Sequence, residues 1–138
     1  MTERQRERGG DTEKVTINLG YVDLGRIDLL VQEGFYSNRT DLIRTAIRSL
    51  LAEHGEAVRR SAARRTLELG LRDLGRADLE AARDAGTPLD VAVIGLVRIA
   101  ADVDAALARA AIRSINVLGA LHASAEVRAA LGDRIRKP

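Results

Sequence analysis

A short predicted strand presents three polar side chains whose chemistry suits the recognition of base pairs. The sequence KVTINL, residues 14–19, alternates polar and apolar residues, as expected of a strand with two different faces. Its polar face consists of Lys14, Thr16 and Asn18. An ammonium, a hydroxyl and an amide can hydrogen-bond to base edges in a DNA major groove. Because no second strand follows directly, we expect this strand to pair with another chain and form a two-stranded ribbon.

A second group of candidate contacts lies where a helix is predicted to begin. Helical spacing of apolar residues predicts one helix over about residues 22–33, capped by Gly34, and another running to about Glu53. The second helix is predicted to have Ser37 as its N-cap. Unpaired backbone N–H groups and the helix dipole favour an anion at such an end. We therefore expect Ser37, Asn38 and Arg39 to bind DNA phosphate.

Residues 55–65 are expected to form a basic linker. Four arginines and no acid occur within residues 59–65, namely Arg59, Arg60, Arg64 and Arg65. These side chains either remain in solvent or make further phosphate contacts. The first thirteen residues are polar and aperiodic, so we expect a disordered arm there.

Composition restricts the remaining possibilities. The 138 residues are 46% apolar but only 2% aromatic, which predicts an aliphatic core, and the net charge of +2 gives no strong overall field. With no cysteine and two isolated histidines, we expect no metal site, and no phosphate-loop or catalytic signature predicts a cofactor or an enzyme. Without a signal peptide or an apolar run long enough to span a membrane, we expect a cytoplasmic protein with no membrane partner.

Residues 14–52 resemble the Arc/MetJ/CopG ribbon-helix-helix family of DNA-binding proteins. The resemblance is carried by the KVTINL strand, the segment GFYSNRTDLIR over residues 34–44 and the Ala46-Ile47 step, less than a third of the chain. It implies an intertwined dimer whose antiparallel ribbon enters the major groove. The same resemblance implies base reading by Lys14, Thr16 and Asn18 and phosphate binding at the start of the second helix.

The second half of the chain contains two internal echoes. Residues 66–79 match residues 16–29 at nine of fourteen positions, which we interpret as a shared strand-turn-helix preference. Residues 117–131 match residues 93–107 at seven of fifteen positions, each copy predicting an apolar strand and then a short helix. The strands are predicted at residues 89–99 and 112–123. Since only two copies are visible, the missing neighbours are expected from another chain.

Both faces of residues 91–99 are apolar, which calls for cover on both sides. A domain of this size with few large side chains is marginal by itself. We therefore expect the second half to oligomerise, with Val93 and Val117 between chains. Gly95 and Gly119 would then permit close backbone approach or simply relieve crowding within one subunit.

Together these features predict an α+β protein. A ribbon-helix-helix domain at residues 14–54 would form an intertwined dimer, and residues 66–138 a small α/β oligomerisation or partner domain of repeated strand-helix units. The predicted function is sequence-specific regulation of transcription, most simply as a repressor that binds double-stranded DNA as a homodimer or higher homo-oligomer. The alternatives are an antitoxin, with a toxin protein as partner, and a DNA-associated structural scaffold. The apolar second half differs from the charged, poorly ordered tails of antitoxins.

Overall fold

A computed structural model describes residues 12–136, and the chain divides into two compact units between Val58 and Arg59. The described helices and strands are α1 Tyr21–Gln32, α2 Arg39–Glu53, α3 Gly55–Arg64, β1 Glu68–Leu74, α4 Arg76–Asp84, β2 Leu89–Ile99, α5 Ala105–Ala111, β3 Ile112–His122, α6 Ala125–Ala130 and β4 Ile135–Arg136. No helix in this part of the chain is long and apolar enough to cross a membrane. Most of the predicted disordered arm lies outside the described residues.

The first unit contains α1 and α2, close to the predicted bounds. Gly34 ends α1 with φ +84°, a conformation that glycine adopts without strain. The N–H groups of Gly34 and Phe35 donate to the carbonyl oxygens of Val31 and Leu30 at 3.1 and 3.0 Å. This pair of bonds is the Schellman arrangement, which satisfies carbonyl groups that the end of a helix would leave unpaired. The predicted C-terminal cap is therefore confirmed.

Residues 12–58, the described part of the first unit, contain no buried core. Neither α1 nor α2 contains a buried residue, and Phe35 and Leu51 are 70% and 60% exposed. Covering a large apolar side chain contributes about 1.5–3 kcal/mol, so this unit forgoes most of the stabilisation that a packed domain obtains. Residues 12–20 have no assigned secondary structure in the single chain. The ribbon needs a strand from a second chain, and it stays a prediction.

The segment predicted as a basic linker is helical. Helix α3 begins one residue after the C-cap of α2, His54, and continues through Arg64. Alanine and arginine, which make up most of its second half, are strong helix formers. The helix ends where Thr66 adopts a positive φ of 55°. Local helix propensity thus outweighs the polarity of the segment, and the role of residues 55–65 as a linker stays a prediction.

The second unit is built on a parallel sheet with strand order β1-β2-β3-β4. Strands β1, β2 and β3 are each followed by one of the helices α4, α5 and α6. The two strands predicted at residues 89–99 and 112–123 are confirmed, with β3 ending at His122. Strand β1 pairs with β2 along its whole length, from Glu68 with Val93 to Leu74 with Ile99. The neighbour that we expected from another chain is thus supplied by residues 68–74 of the same chain.

One face of the sheet packs against α4, α5 and α6 in an aliphatic core. The fully buried large side chains are Leu79, Val91, Val93, Val97, Ile112, Ile115, Val127 and Leu131. Val93 is 1% exposed, and Val117 packs against the same cluster. The expectation that these two valines lie between chains is therefore wrong. They belong to the face that the helices of their own chain cover.

Three glycines in register allow the strands to approach at the middle of the sheet. Gly70, Gly95 and Gly119 pair across β1, β2 and β3, and all three have φ between 126° and 139°. A Cβ atom at Gly95 would lie 2.0 Å from the carbonyl oxygen of Gly70, and one at Gly119 the same distance from that of Gly95. The close approach expected at Gly95 and Gly119 therefore occurs within one subunit.

Candidate nucleic-acid interface

The three predicted base-reading residues are exposed. Lys14, Thr16 and Asn18 lie in the segment before α1, where every residue is exposed in the single chain. The apolar partners on this segment are exposed as well, Val15 by 78% and Ile17 by 60%. The apolar face of this segment is therefore buried only if another surface packs against it. The polar side would then remain open to a ligand.

The start of α2 is capped by Asn38 and Asp41, whereas Ser37 was the predicted N-cap. The Asn38 side chain accepts a hydrogen bond from the Asp41 N–H at 2.8 Å, so Asn38 is the N-cap rather than Ser37. In return, the Asp41 carboxylate accepts from the Ser37 N–H at 3.0 Å. The Asn-x-x-Asp spacing, a relative of the capping box, is the sequence signal that could have indicated this arrangement.

Arg39 is engaged by an acidic side chain on α1. Its Nε and Nη2 atoms donate to the two carboxylate oxygens of Asp28, both at 2.8 Å. This forked hydrogen bond and the charge of Arg39 hold the pKa of Asp28 below its ordinary value, and they raise the pKa of Arg39. Both side chains are about half exposed, so the pair remains open to solvent and salt. The contact fixes the start of α2 against α1.

This geometry determines which groups at the N-terminus of α2 can bind an anion. Asn38 takes the N–H of Asp41, which leaves the N–H groups of Arg39 and Thr40 as the unsatisfied donors of the first turn. Two carboxylates, those of Asp28 and Asp41, lie close by. A phosphate at this end would be bound by the backbone N–H groups. The Arg39 guanidinium could bind it as well, but only after leaving Asp28.

The structure brings the phosphate candidates together but leaves the base-reading candidates separate from them. Ser37, Asn38 and Arg39 form one continuous end of α2. Among the described residues, no hydrogen bond or ion pair joins this end to residues 14–18. The four arginines from the predicted linker are exposed, at Arg59, Arg60 and Arg64 of α3 and at Arg65 just beyond it. Within α3, Arg60 and Arg64 are four residues apart and so share a face.

Residues 12–136 contain no group of three or more histidine, aspartate or glutamate side chains placed to hold a metal ion. The polar groups of the first unit include hydrogen-bond donors around the start of α2 and exposed polar side chains in residues 14–18. Such an arrangement suits binding to a polyanion better than covalent chemistry.

Comparison with known proteins extends the resemblance beyond the first unit. The model of the ribbon-helix-helix transcriptional regulator family matches residues 10–128. The similarity thus covers both compact units, whereas the motifs of the strand, the turn and the second helix lie within residues 14–52. Neither the curated proteins nor the solved structures gave a match to the chain.

Proposed function

The chain belongs to the ribbon-helix-helix transcriptional regulator family, a family of DNA-binding proteins and not of enzymes, and from this we propose that it is a sequence-specific repressor acting as a ribbon-helix-helix dimer. The supporting observation is the incomplete first unit. Residues 12–20 expose their apolar side chains, both helices leave theirs exposed or only half-buried, and an intertwined second copy would cover them. Double-stranded DNA is the proposed partner, and the cytoplasm is the proposed location.

In the proposed complex, two copies of residues 14–19 pair into an antiparallel ribbon. Val15, Ile17 and Leu19 then face the shared core, and Lys14, Thr16 and Asn18 face the major groove. The start of α2 in each chain contacts a phosphate on either side of the ribbon through its backbone N–H groups. Base contacts determine which sequence is bound, whereas phosphate contacts fix the position of the dimer.

The second unit would assemble these dimers into higher homo-oligomers. Two dimers held together bind neighbouring sites with an avidity that neither has separately, because the second binding event becomes intramolecular. The exposed arginines of α3 would add phosphate contacts whose strength falls with salt. Among residues 12–136, eighteen hydrophobic residues are buried, nearly all in a core of the second unit, and such a core does not favour the antitoxin alternative, in which a tail orders on a toxin.

Replacing both Lys14 and Asn18 by alanine is expected to abolish sequence-specific binding while the dimer stays folded. Each good base contact contributes about 1–3 kcal/mol of discrimination, and the twofold symmetry doubles every change. We expect affinity for a site selected by the wild-type protein from a random DNA pool to fall by at least about 100-fold in a gel shift. Glu13→Ala, a truncation in the same exposed segment, serves as the control and should not weaken binding. Unchanged affinity of the double variant would refute the base-reading role.

The role of Arg39 can be separated from its ion pair by two matched variants. Arg39→Gln removes the cation and the pair, whereas Asp28→Asn removes the pair but keeps the cation. If Arg39 binds phosphate, Arg39→Gln should weaken binding to all sequences and lower the salt dependence by about one phosphate contact per chain. Asp28→Asn should preserve or increase affinity. Equal losses in both variants would mean that Arg39 only positions α2 against α1.

A further inference from the structure

The sheet of the second unit has one face that its helices do not cover. Residues of this face alternate with the buried ones and form two rows across the strands, Leu69–Ile94–Leu118 and Leu71–Leu96–Ala120. Leu69 and Leu71 are 55% and 52% exposed, and the other four are half-buried. Parallel sheets are almost always covered on both faces, because βα connections place helices there and the strands are apolar throughout. This open face, as we call these six residues, therefore requires an occupant.

The open face lacks the charge that would select a charged partner. At the carboxyl end of the strands, the next pair in register on the same face is Asp73 and Arg98. These two bind each other, with the Arg98 Nε atom 2.8 Å from the Asp73 carboxylate. The six residues between the two ends of this face are aliphatic and uncharged, whereas the next row at the opposite end is Ala92–Asn116–Arg136, with one cation at the β4 edge. The aliphatic part suits an equally apolar sheet, which stacks at about 10 Å, better than it suits a nucleic acid or an acidic peptide.

The residues outside the described part of the chain offer little apolar surface. Residues 1–11, with the sequence MTERQRERGGD, contain a single large apolar side chain, Met1, and residues 137–138 are Lys and Pro. The apolar residues of the first unit are committed to the proposed ribbon dimer. Neither group therefore offers a large apolar surface to the open face, which favours a second chain as its occupant.

The area of the open face indicates what kind of chain can cover it. Three strands spaced by about 4.8 Å, with about 3.3 Å per residue along each, give a patch of only a few hundred Å². Stable interfaces between independent partners bury about 800 Å² on each side, so one such patch is too small to hold a free partner. Two identical patches that act together are not limited in this way. A dimer carries two open faces, and once one pair of faces meets, the second pair meets within the same particle.

We propose that the open face packs against the open face of a second copy of this chain, so that two ribbon dimers join through two such contacts into a closed tetramer. This inference rests on the proposed ribbon dimer. Each contact is isologous, the same residues meeting from both sides, and two of them close the assembly without leaving an edge for further growth. The tetramer would carry two DNA-reading ribbons and so gives the proposed oligomer a defined size.

The test compares two double variants of the full chain by sedimentation equilibrium. Leu69→Lys with Leu71→Lys places four charges in each contact, and we expect the mass to fall from four chains to two. Both side chains are more than half exposed in the single chain, so the circular dichroism spectrum should not change. Ala77→Lys with Ala81→Lys adds the same charge at exposed positions of α4, on the other side of the sheet, and should keep four chains.

The outcomes separate this proposal from the proposed function. A wild-type mass of two chains, or a Leu69→Lys/Leu71→Lys variant that keeps four, overturns the open-face contact. In either case a gel shift on the selected DNA still reports on the ribbon dimer. A wild-type protein of one chain that binds no DNA would instead overturn the proposed function. Both proposals are supported if the Leu69→Lys/Leu71→Lys variant forms a particle of two chains that still shifts DNA. The control variant should then still form a particle of four chains.

Discussion

Replacing Ile17 by aspartate is expected to unfold the first unit and abolish DNA binding. In the proposed dimer Ile17 faces the core shared by two chains, although it is 60% exposed in one chain alone. The substitution removes about 1.5–3 kcal/mol of apolar burial in each chain and places two unpaired carboxylates where water is excluded, which costs several kcal/mol more. A marginal unit without its own core cannot absorb that loss. Light scattering should show loss of the dimer, and circular dichroism should show loss of α1 and α2.

The neighbouring residue provides the matched control for this prediction. Thr16→Asp introduces the same charge one residue away, on the polar face of the predicted ribbon. It should abolish DNA binding through repulsion of phosphate and leave the dimer mass and helicity intact. If Ile17→Asp also kept the dimer and its helices, the apolar face of residues 14–19 would not lie in a shared core. The ribbon itself would then be in question.

Replacing Gly95 by alanine is expected to destabilise the second unit by more than about 3 kcal/mol. Two effects combine at this position. The φ of 139° is rarely adopted by residues with a Cβ atom, and that atom would lie 2.0 Å from the Gly70 carbonyl oxygen and 2.9 Å from its carbon. Backbone atoms in the middle of a paired sheet have little room to move, so strands β1 and β2 would have to separate. Urea unfolding monitored by circular dichroism would measure the loss.

Gly70→Ala separates the two effects. Gly70 has a similar φ of 129°, but a Cβ atom there would meet nothing within 4 Å. The free energy of unfolding of this variant should fall only by the cost of the backbone conformation, about 1–3 kcal/mol. Equal losses at the two positions would show that conformation alone matters. A stable Gly95→Ala protein would contradict the register that pairs the three glycines.

Local sequence was sufficient to predict where many of the helices and strands begin and end. Helices α1 and α2 and strands β2 and β3 lie within one or two residues of their predicted bounds, and Gly34 caps α1 as predicted. Apolar periodicity and glycine at a positive φ act over a few residues, so a single sequence reveals them. The exposed polar face of residues 14–18 follows from the same alternation. Its use in reading bases remains a prediction.

The internal match of fourteen residues shows that similar local sequences can adopt different secondary structures. Residues 16–29 and 66–79 share nine identities, including Asp-Leu-Gly-Arg. The first copy of that tetrapeptide lies inside α1, whereas in the second Asp73 and Leu74 end β1 and Arg76 begins α4. The second copy pairs with β2 through backbone hydrogen bonds, and the first has no such neighbour within residues 12–136. Long-range pairing outweighs local preference here.

The sequence by itself determined that an alternating segment at residues 14–19 is followed by two amphipathic helices and then by apolar strands and short helices. Only the tertiary structure decided that Val93 faces the helices of its own chain while Leu69 and Leu71 stay exposed, since both faces of β2 are apolar and composition cannot tell which is covered. It also decided that Arg39 binds Asp28, eleven residues away, and that three glycines share one register. These features depend on contacts between residues distant in the chain, which local periodicity does not encode.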